Sequence, residues 1–350
     1  MSITLAVIGC GRIAENAHIP ALKQLSACVK YCVDIIPERA QRAAEKLNAV
    51  KAITDYKTAL ADKEVDAVYV LTPNFAHYTI AMDALQSGKH VFCEKPITVS
   101  YGYAQEMAET ARKTGRVLNI GVCNRFHKTV NIVKHLYDTG KLGNLYHIYC
   151  SFRNFRSIPG LGGDFTTKSI SGGGVLIDWG VHFFDLILYI LGDAKLCTVT
   201  ADTYNVLGKN IAEYVYKGMW AGPPKLDGIN DTEECVSGYI RTDKVGISFN
   251  GAWAQNIDEK EMFIDFLGDK AGIRLYYGSH FVLYGAEDGV LKKVVADYEI
   301  PNMYLEESAD FLSSVQSGEK SRNHIDNVLA SAKLLDVLYA SAEQKREIAL

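Results

Sequence analysis

The chain lacks any CxxC pair, although it carries eight cysteines. Cys10, Cys28, Cys32, Cys93, Cys123, Cys150, Cys197 and Cys235 fall mostly in apolar, strand-like runs. That pattern reads as reduced core thiols, not as a disulfide frame or a zinc site, and no metal is expected. Blocks of like charge, low-complexity tracts and repeats of fixed period are also missing, which removes charged interaction tails and solenoids. The net charge of -4 offers no general attraction to nucleic acid or to an anionic membrane. The opening residues, "MSITLAVIGCGRIAENAH", show neither a basic leader nor a small-residue cleavage site. The most apolar stretch, "SGGGVLIDWGVHFFDLILYILG" at 171–192, is interrupted by Asp178, His182 and Asp185, and is too short and too broken to cross a bilayer. A cytoplasmic protein is expected.

What is present is ordinary globular composition: 350 residues, 48% hydrophobic and 22% charged, enough for two domains. Up to residue 122, short β-rich runs ("ITLAVIG", "VKYCVD", "VDAVYVLT", "KHVFCE", "RVLNIGV") alternate with helical segments. That alternation predicts a parallel, doubly wound α/β sheet. Pro20 is expected to restart the first helix at its N1 position. From Leu145 the texture changes to strand candidates separated by turn residues, with few long helices between them, which suits one large, mostly antiparallel open sheet. Helices are expected at Met303–Gln316 and Ile325–Gln344. Domains are therefore drawn at 1–122 and 123–350.

"VIGCGRIA" sets Gly9, Gly11 and Ala14 at GxGxxA spacing directly after a strand and at the start of a helix. Glycines there permit a tight turn and close backbone approach to a pyrophosphate, whose charge the helix N-terminus favours. Asp34 ends the next strand, placed to accept ribose hydroxyls and repel a 2′-phosphate, which favours NAD over NADP. Arg39 softens that discrimination, so NADP stays open. Asp34 also fits an N-cap for "PERAQRAAEKL".

Taken together, "TPN" with His77, "GKHVFCEKP", Asn124–Arg125, "GGGVLIDWGVHFFD", "FLGDKAGIRL" and the N-terminal GxGxxA resemble the Gfo/Idh/MocA oxidoreductases. The resemblance covers nearly the whole chain. It implies an N-terminal Rossmann domain followed by an α/β domain used for substrate binding and oligomerisation. It implies cofactor contacts at Gly9, Gly11, Arg12, Ile13, Asp34, Thr72, Pro73, Asn74, His77, Glu94, Lys95 and Asn124, and a cis peptide before Pro96. Lys95, Asp178 and His182 are the implied catalytic residues.

Asp178 and His182 are four apart, on one helix face, with Asp185 close to that face. Oxidising a secondary alcohol needs a hydride acceptor, a base for the hydroxyl proton and stabilisation of a developing alkoxide. Imidazole suits the base role at neutral pH, an ammonium suits the alkoxide, and a carboxylate orients the hydroxyl. His182 is assigned as base, Lys95 as electrostatic partner and Asp178 as orienter, with Lys95 as base left open. Substrate contacts are expected from Lys95, Arg125, Arg153, Asp178, Trp179, His182 and Trp220, with Arg156 and Lys168 nearby. Gly172–Gly174 are expected to let cofactor or substrate approach closely.

The reading is an NAD-dependent dehydrogenase of a secondary hydroxyl on a pyranose sugar, a glycoside (C3 being one case) or a cyclitol. Two alternatives accompany it: a glycosidase-like or epimerising enzyme using tightly held NAD transiently, and a non-catalytic NAD-binding regulator. A broad sheet must cover its second face, so a homodimer or homotetramer is expected.

Overall fold

The computed structural model describes residues 3–350. They form two compact units, one running to Phe126 and including Pro301–Ala332, the other made of His127–Ile300 and Lys333–Leu350.

The first unit opens with β1 (Thr4–Ile8), a π-turn at Ala14–His18, α1 (Ile19–Gln24), β2 (Cys28–Val33), α2 (Pro37–Leu47) and β3 (Lys51–Ile53). It continues with α3 (Tyr56–Ala61), β4 (Ala67–Val70), α4 (Asn74–Gln86), β5 (His90–Glu94), α5 (Tyr101–Thr114) and β6 (Leu118–Gly121). Six strands pair in the order β3-β2-β1-β4-β5-β6, all parallel. This is the doubly wound order, with its crossover reversal between β1 and β4. Alternate residues of β1 serve opposite cores: Ala6 and Ile8 face α4 and α5, while Leu5 and Val7 face α1 and α2. Pro20 is the second residue of α1, one later than expected, and the turn before it is π rather than a break. Proline lacks the N–H and crowds the carbonyl four residues back, and a π-turn absorbs the mismatch without ending the helix.

The second unit contains α6 (Lys128–Asp138), β7 (Leu145–Phe155), α7 (Lys168–Ser171), a π-turn at Leu176–Gly180, α8 (Val181–Leu191) and β8 (Leu196–Tyr204). Then come β9 (Cys235–Thr242), β10 (Gly246–Gln255), β11 (Glu261–Gly268), β12 (Ala271–Tyr276), β13 (Phe281–Glu287) and β14 (Val290–Val295). The chain ends with α9 (Met303–Ser317), α10 (Ile325–Gln344) and β15 (Ile348–Ala349). Nine strands pair in the order β14-β13-β12-β11-β7-β10-β9-β8-β15; β10 with β7 is parallel and every other pair is antiparallel. One face, carrying Ile148, Cys150, Phe152, Ile247, Phe249, Ile264 and Phe266, packs in a core with α8 and the last part of α10. Lys168–Leu191, expected to be too short to cross a bilayer, is in fact apolar and long enough to do so, yet 78% of its apolar window is buried inside the protein.

The domain boundary read from sequence differs from these units. Residues 301–332, placed with the second domain, pack in the first. Phe311 of α9 lies in one core with Tyr69 and Phe92, while Ile325 and Val328 of α10 join the other core beside Ile120 and Val122. The Ile120 N–H donates to the Asn323 carbonyl at 3.0 Å, so this segment also lines the β6 edge. Amphipathic periodicity shows that a helix has a buried face, not which sheet that face covers.

Candidate functional site

The glycine loop stands at the β1–β4 reversal. Gly9 has φ +93, and a Cβ there would meet the Leu71 carbonyl oxygen at 2.6 Å, because Leu71 directly follows β4 alongside. Only glycine fits. At Gly11 nothing lies within 4 Å of where a Cβ would stand, so the loop is open there. Asp34 Oδ2 accepts from the Cys10 N–H and Oδ1 from the Ile36 N–H, both at 2.9 Å. Asp34 thus locks the glycine loop to the end of β2. Its helix-capping role is not observed; the N-cap of α2 is Ile36. Beyond β4, Thr72 Oγ1 is buried without a hydrogen-bond partner. Pro73 caps α4, and Asn74 opens it. An open glycine loop, a carboxylate with a second lone pair on each oxygen and an unsatisfied hydroxyl at the carboxyl ends of parallel strands fit a dinucleotide. Gly9–Ile13 would hold the pyrophosphate and Asp34 the ribose, and the bound NAD would supply the hydride acceptor.

Lys95 follows β5, partly exposed, and its bond to Pro96 is cis, as expected. Two histidines hold this turn. His77 is fully buried, with Nδ1 2.8 Å from the Pro96 carbonyl and Nε2 2.8 Å from the Thr72 carbonyl. Burial pushes its pKa down. His77 was expected at the cofactor; its two ring nitrogens lie beside main-chain oxygens of the "TPN" and "EKP" turns, and the single N–H of the neutral ring donates to one of them. Glu94, also assigned to the cofactor, is buried with Oε1 2.7 Å from His18 Nε2, while Oε2 accepts from the Lys95 N–H at 2.9 Å. Arg12 is exposed, Ile13 partly so, and Asn124 is buried in the 3-10 turn Cys123–Phe126.

In the second unit, Asp178 lies in the π-turn and His182 in the first turn of α8. Between Gly173 and Leu191 only Asp178, Trp179, His182 and Tyr189 are not buried. The apolar helix therefore shows one polar edge, and π-turns recur at functional sites. Trp253 Nε1 donates to Asp178 Oδ2 at 3.2 Å. The His182 ring centroid is 6.0 Å from that of Tyr277. Tyr189 donates to Asn131 Oδ1 of α6 at 3.0 Å. Asp185, on the same stripe, is buried at 1% exposure and lies off the partly exposed edge.

The helix start is built by a residue the sequence reading missed. Glu233 Oε2 accepts from the Gly174 N–H at 2.9 Å, and Oε1 from Leu176 N–H at 3.0 Å and Tyr339 hydroxyl at 2.8 Å. Burial pushes the Glu233 carboxyl up, and these donors pull it back. A Cβ at Gly173 would enter the Tyr339 hydroxyl, and one at Gly174 the Glu233 carbonyl. Those glycines were expected to admit a ligand; the space they leave is filled by Tyr339 and Glu233. Next in sequence, Glu234 accepts from the N–H groups of Val206, Leu207 and Gly208, and its carbonyl accepts from Trp253 N–H at 2.8 Å. No spacing motif announces this pair; two consecutive acids before an apolar strand were the available signal.

The remaining substrate candidates have defined places. Arg125 is 2% exposed, and its guanidinium donates to the carbonyls of Arg322 at 3.1 Å and Asn327 at 2.9 Å. These bonds brace the start of α10 and the turn before it. Arg153 pairs with Glu261 across the β7–β11 register, Nε to Oε2 3.1 Å. Arg156 donates to Asn256, and the Lys168 N–H to Asp231. Trp220 is 42% exposed and stands edge-on to Phe165, centroids 4.7 Å apart.

Residues 3–122 match the oxidoreductase family described as GFO_IDH_MocA, NAD-binding Rossmann fold, and residues 130–274 match the GFO/IDH/MocA C-terminal domain. The chain belongs to the Gfo/Idh/MocA oxidoreductases. Within that family it is 29% identical to D-glucoside 3-dehydrogenase of Escherichia coli, over 99% of this chain and 97% of that protein. It is 27% identical to myo-inositol 2-dehydrogenase of Thermotoga maritima, over 99% and 98% respectively. Its fold matches levoglucosan dehydrogenase, solved with NADH and levoglucosan, at TM-score 0.85 and 19% identity, covering 100% of this chain and 99% of that one. The Gfo/Idh/MocA chain is thus an NAD-binding oxidoreductase with the two-sheet architecture expected of it.

Proposed function

We propose that the protein oxidises a secondary hydroxyl of a pyranose glycoside, with C3 of a glucoside as the leading case, or of a related sugar or cyclitol. The observation that carries this reading is the single polar edge of α8, with Asp178 and His182 four residues apart on an otherwise buried helix. Full-length similarity to a D-glucoside 3-dehydrogenase supports the substrate class. His182 takes the hydroxyl proton on its ring, Asp178 orients the hydroxyl, and the Lys95 ammonium offsets charge developing on the oxygen. Trp253 holds one oxygen of Asp178, so the carboxylate meets the substrate in one orientation. Asp34, followed by the exposed Ile35 and Ile36 rather than by a cation, favours NAD over NADP.

The outer face of the nine-stranded sheet carries Tyr149, Arg153, Asp265 and Arg274, only partly exposed, and supports assembly as a homodimer or homotetramer in the cytoplasm. A panel of glucosides, free sugars and inositols, run with NAD and NADP in parallel, tests the reading by absorbance at the nicotinamide band. A glucoside-dependent rise with NAD is expected. NAD binding without turnover on any member overturns it in favour of a non-catalytic role, and product formation without net reduction overturns it in favour of a transient redox cycle. Light scattering that shows a monomer removes the assembly.

A further inference from the structure

Fully buried polar groups that do no chemistry need a reason to be there, because an unpartnered nitrogen in an apolar site costs roughly 1–3 kcal/mol. His18 is such a group. It has no exposed surface and stands in the π-turn before α1. Its ring is boxed edge-on by Tyr69, Phe92 and Tyr304, with centroids 5.9, 5.2 and 5.6 Å away. Nε2 lies 2.7 Å from Glu94 Oε1, while Nδ1 has no hydrogen-bond partner. A proton on Nδ1 would strand a donor among aromatic rings, whereas a bare lone pair there costs less. The proton therefore belongs on Nε2, donated to Glu94.

Glu94 is equally constrained. Its other oxygen accepts from the Lys95 N–H at 2.9 Å. Room for the carboxylate comes from β6: a Cβ at Gly121, the register partner of Glu94, would meet Glu94 Cδ at 3.0 Å and Oε1 at 3.1 Å. On the far side of Lys95, the Pro96 carbonyl packs against the buried His77 ring, 2.8 Å from Nδ1. The main chain that carries the lysine is thus fixed on both flanks, with His18 at the root of one chain of contacts.

We propose that His18 and Glu94 form a buried positioning dyad, His18 as neutral Nε2–H donor and Glu94 as carboxylate, that sets the main chain at Lys95 and so the aim of its side chain. The dyad's link to turnover rests on the sugar dehydrogenase reading above. Its protonation state does not.

The test uses the full chain. Wild type and Lys95→Ala first establish substrate turnover and its dependence on the lysine. His18→Leu removes the donor at similar volume, and His18→Gln returns an amide N–H at comparable reach. His18→Leu is expected to lower kcat about tenfold or more, with KM for NAD within about threefold of wild type, and His18→Gln to recover most of the loss. Unchanged kcat in a folded His18→Leu, or His18→Gln no better than leucine, overturns the proposal. If His18→Leu does not fold, or if wild type turns over no sugar, selectively ¹⁵N-labelled histidine spectra of wild type decide. The His18 Nε2-protonated neutral tautomer is expected, and a proton on Nδ1 overturns the dyad.

Discussion

Trp253 donates its indole N–H to Asp178 Oδ2 across 3.2 Å, from a strand to the π-turn of the helix that carries His182. The tryptophan is itself immobilised: its N–H bonds the Glu234 carbonyl at 2.8 Å, and its carbonyl accepts from the Ser157 N–H at 2.9 Å. Trp253→Phe keeps the ring packing and removes one donor. A drop in kcat of about tenfold is expected, with a smaller change in KM for NAD and little change in unfolding midpoint. Steady-state kinetics beside a thermal melt check this, and an unchanged kcat would show that Asp178 needs no such anchor.

Gly174 is the second lever. A methyl group there runs into the Glu233 carbonyl, which already accepts the Val175 N–H at 3.0 Å. Main chain cannot step aside cheaply, so Gly174→Ala should destabilise by about 2–4 kcal/mol. Denaturant unfolding monitored by fluorescence measures it. The same substitution at Gly11, where the space is open, should leave stability nearly unchanged and weaken NAD binding instead.

Acid should weaken the fold through histidines that are wholly or partly withdrawn from solvent. His77, His90, His127 and His324 all titrate below the ordinary 6.5, and burial is the main cause in each. A histidine whose folded pKa is depressed leaves the unfolded chain holding more protons as pH drops below 6.5. Stability is therefore full above that value and is lost as pH falls toward the folded pKa values. The melting temperature should be lower at about pH 5.5 than at about pH 7.5, and His77→Gln should flatten that slope. A flat profile in wild type would contradict the burial of these rings.

Much of this molecule was readable from its residues because its signals are local. The boundaries of β11 and α10 follow from a run of apolar residues ending at glycine and from a long amphipathic stretch. GxGxxA after a strand located the open glycine loop, and DxxxH on an apolar helix located the polar edge. What escaped depends on partners far away in sequence. Glu233 meets Gly174 from 59 residues downstream, and Trp253 reaches Asp178 across 75. Arg125 and His77 look like ligand-binding side chains by type, and the carbonyls that lie beside them come near only in the folded chain. The π-turns, too, leave no mark in an apolar pattern that tolerates either period.

The return of 301–332 to the first unit has a consequence for how such a protein can be taken apart or recombined. β6 is not an edge open to solvent: the Ile120 N–H is satisfied by Asn323, and Asn119 bridges His324. A fragment cut after Phe126 would bare that strand and part of two cores, and should aggregate rather than fold. Exchanging the nucleotide-binding half with that of a relative therefore takes three junctions, one before His127 and one on each side of the returning segment, so a single crossover in the gene gives a hybrid with no complete first unit.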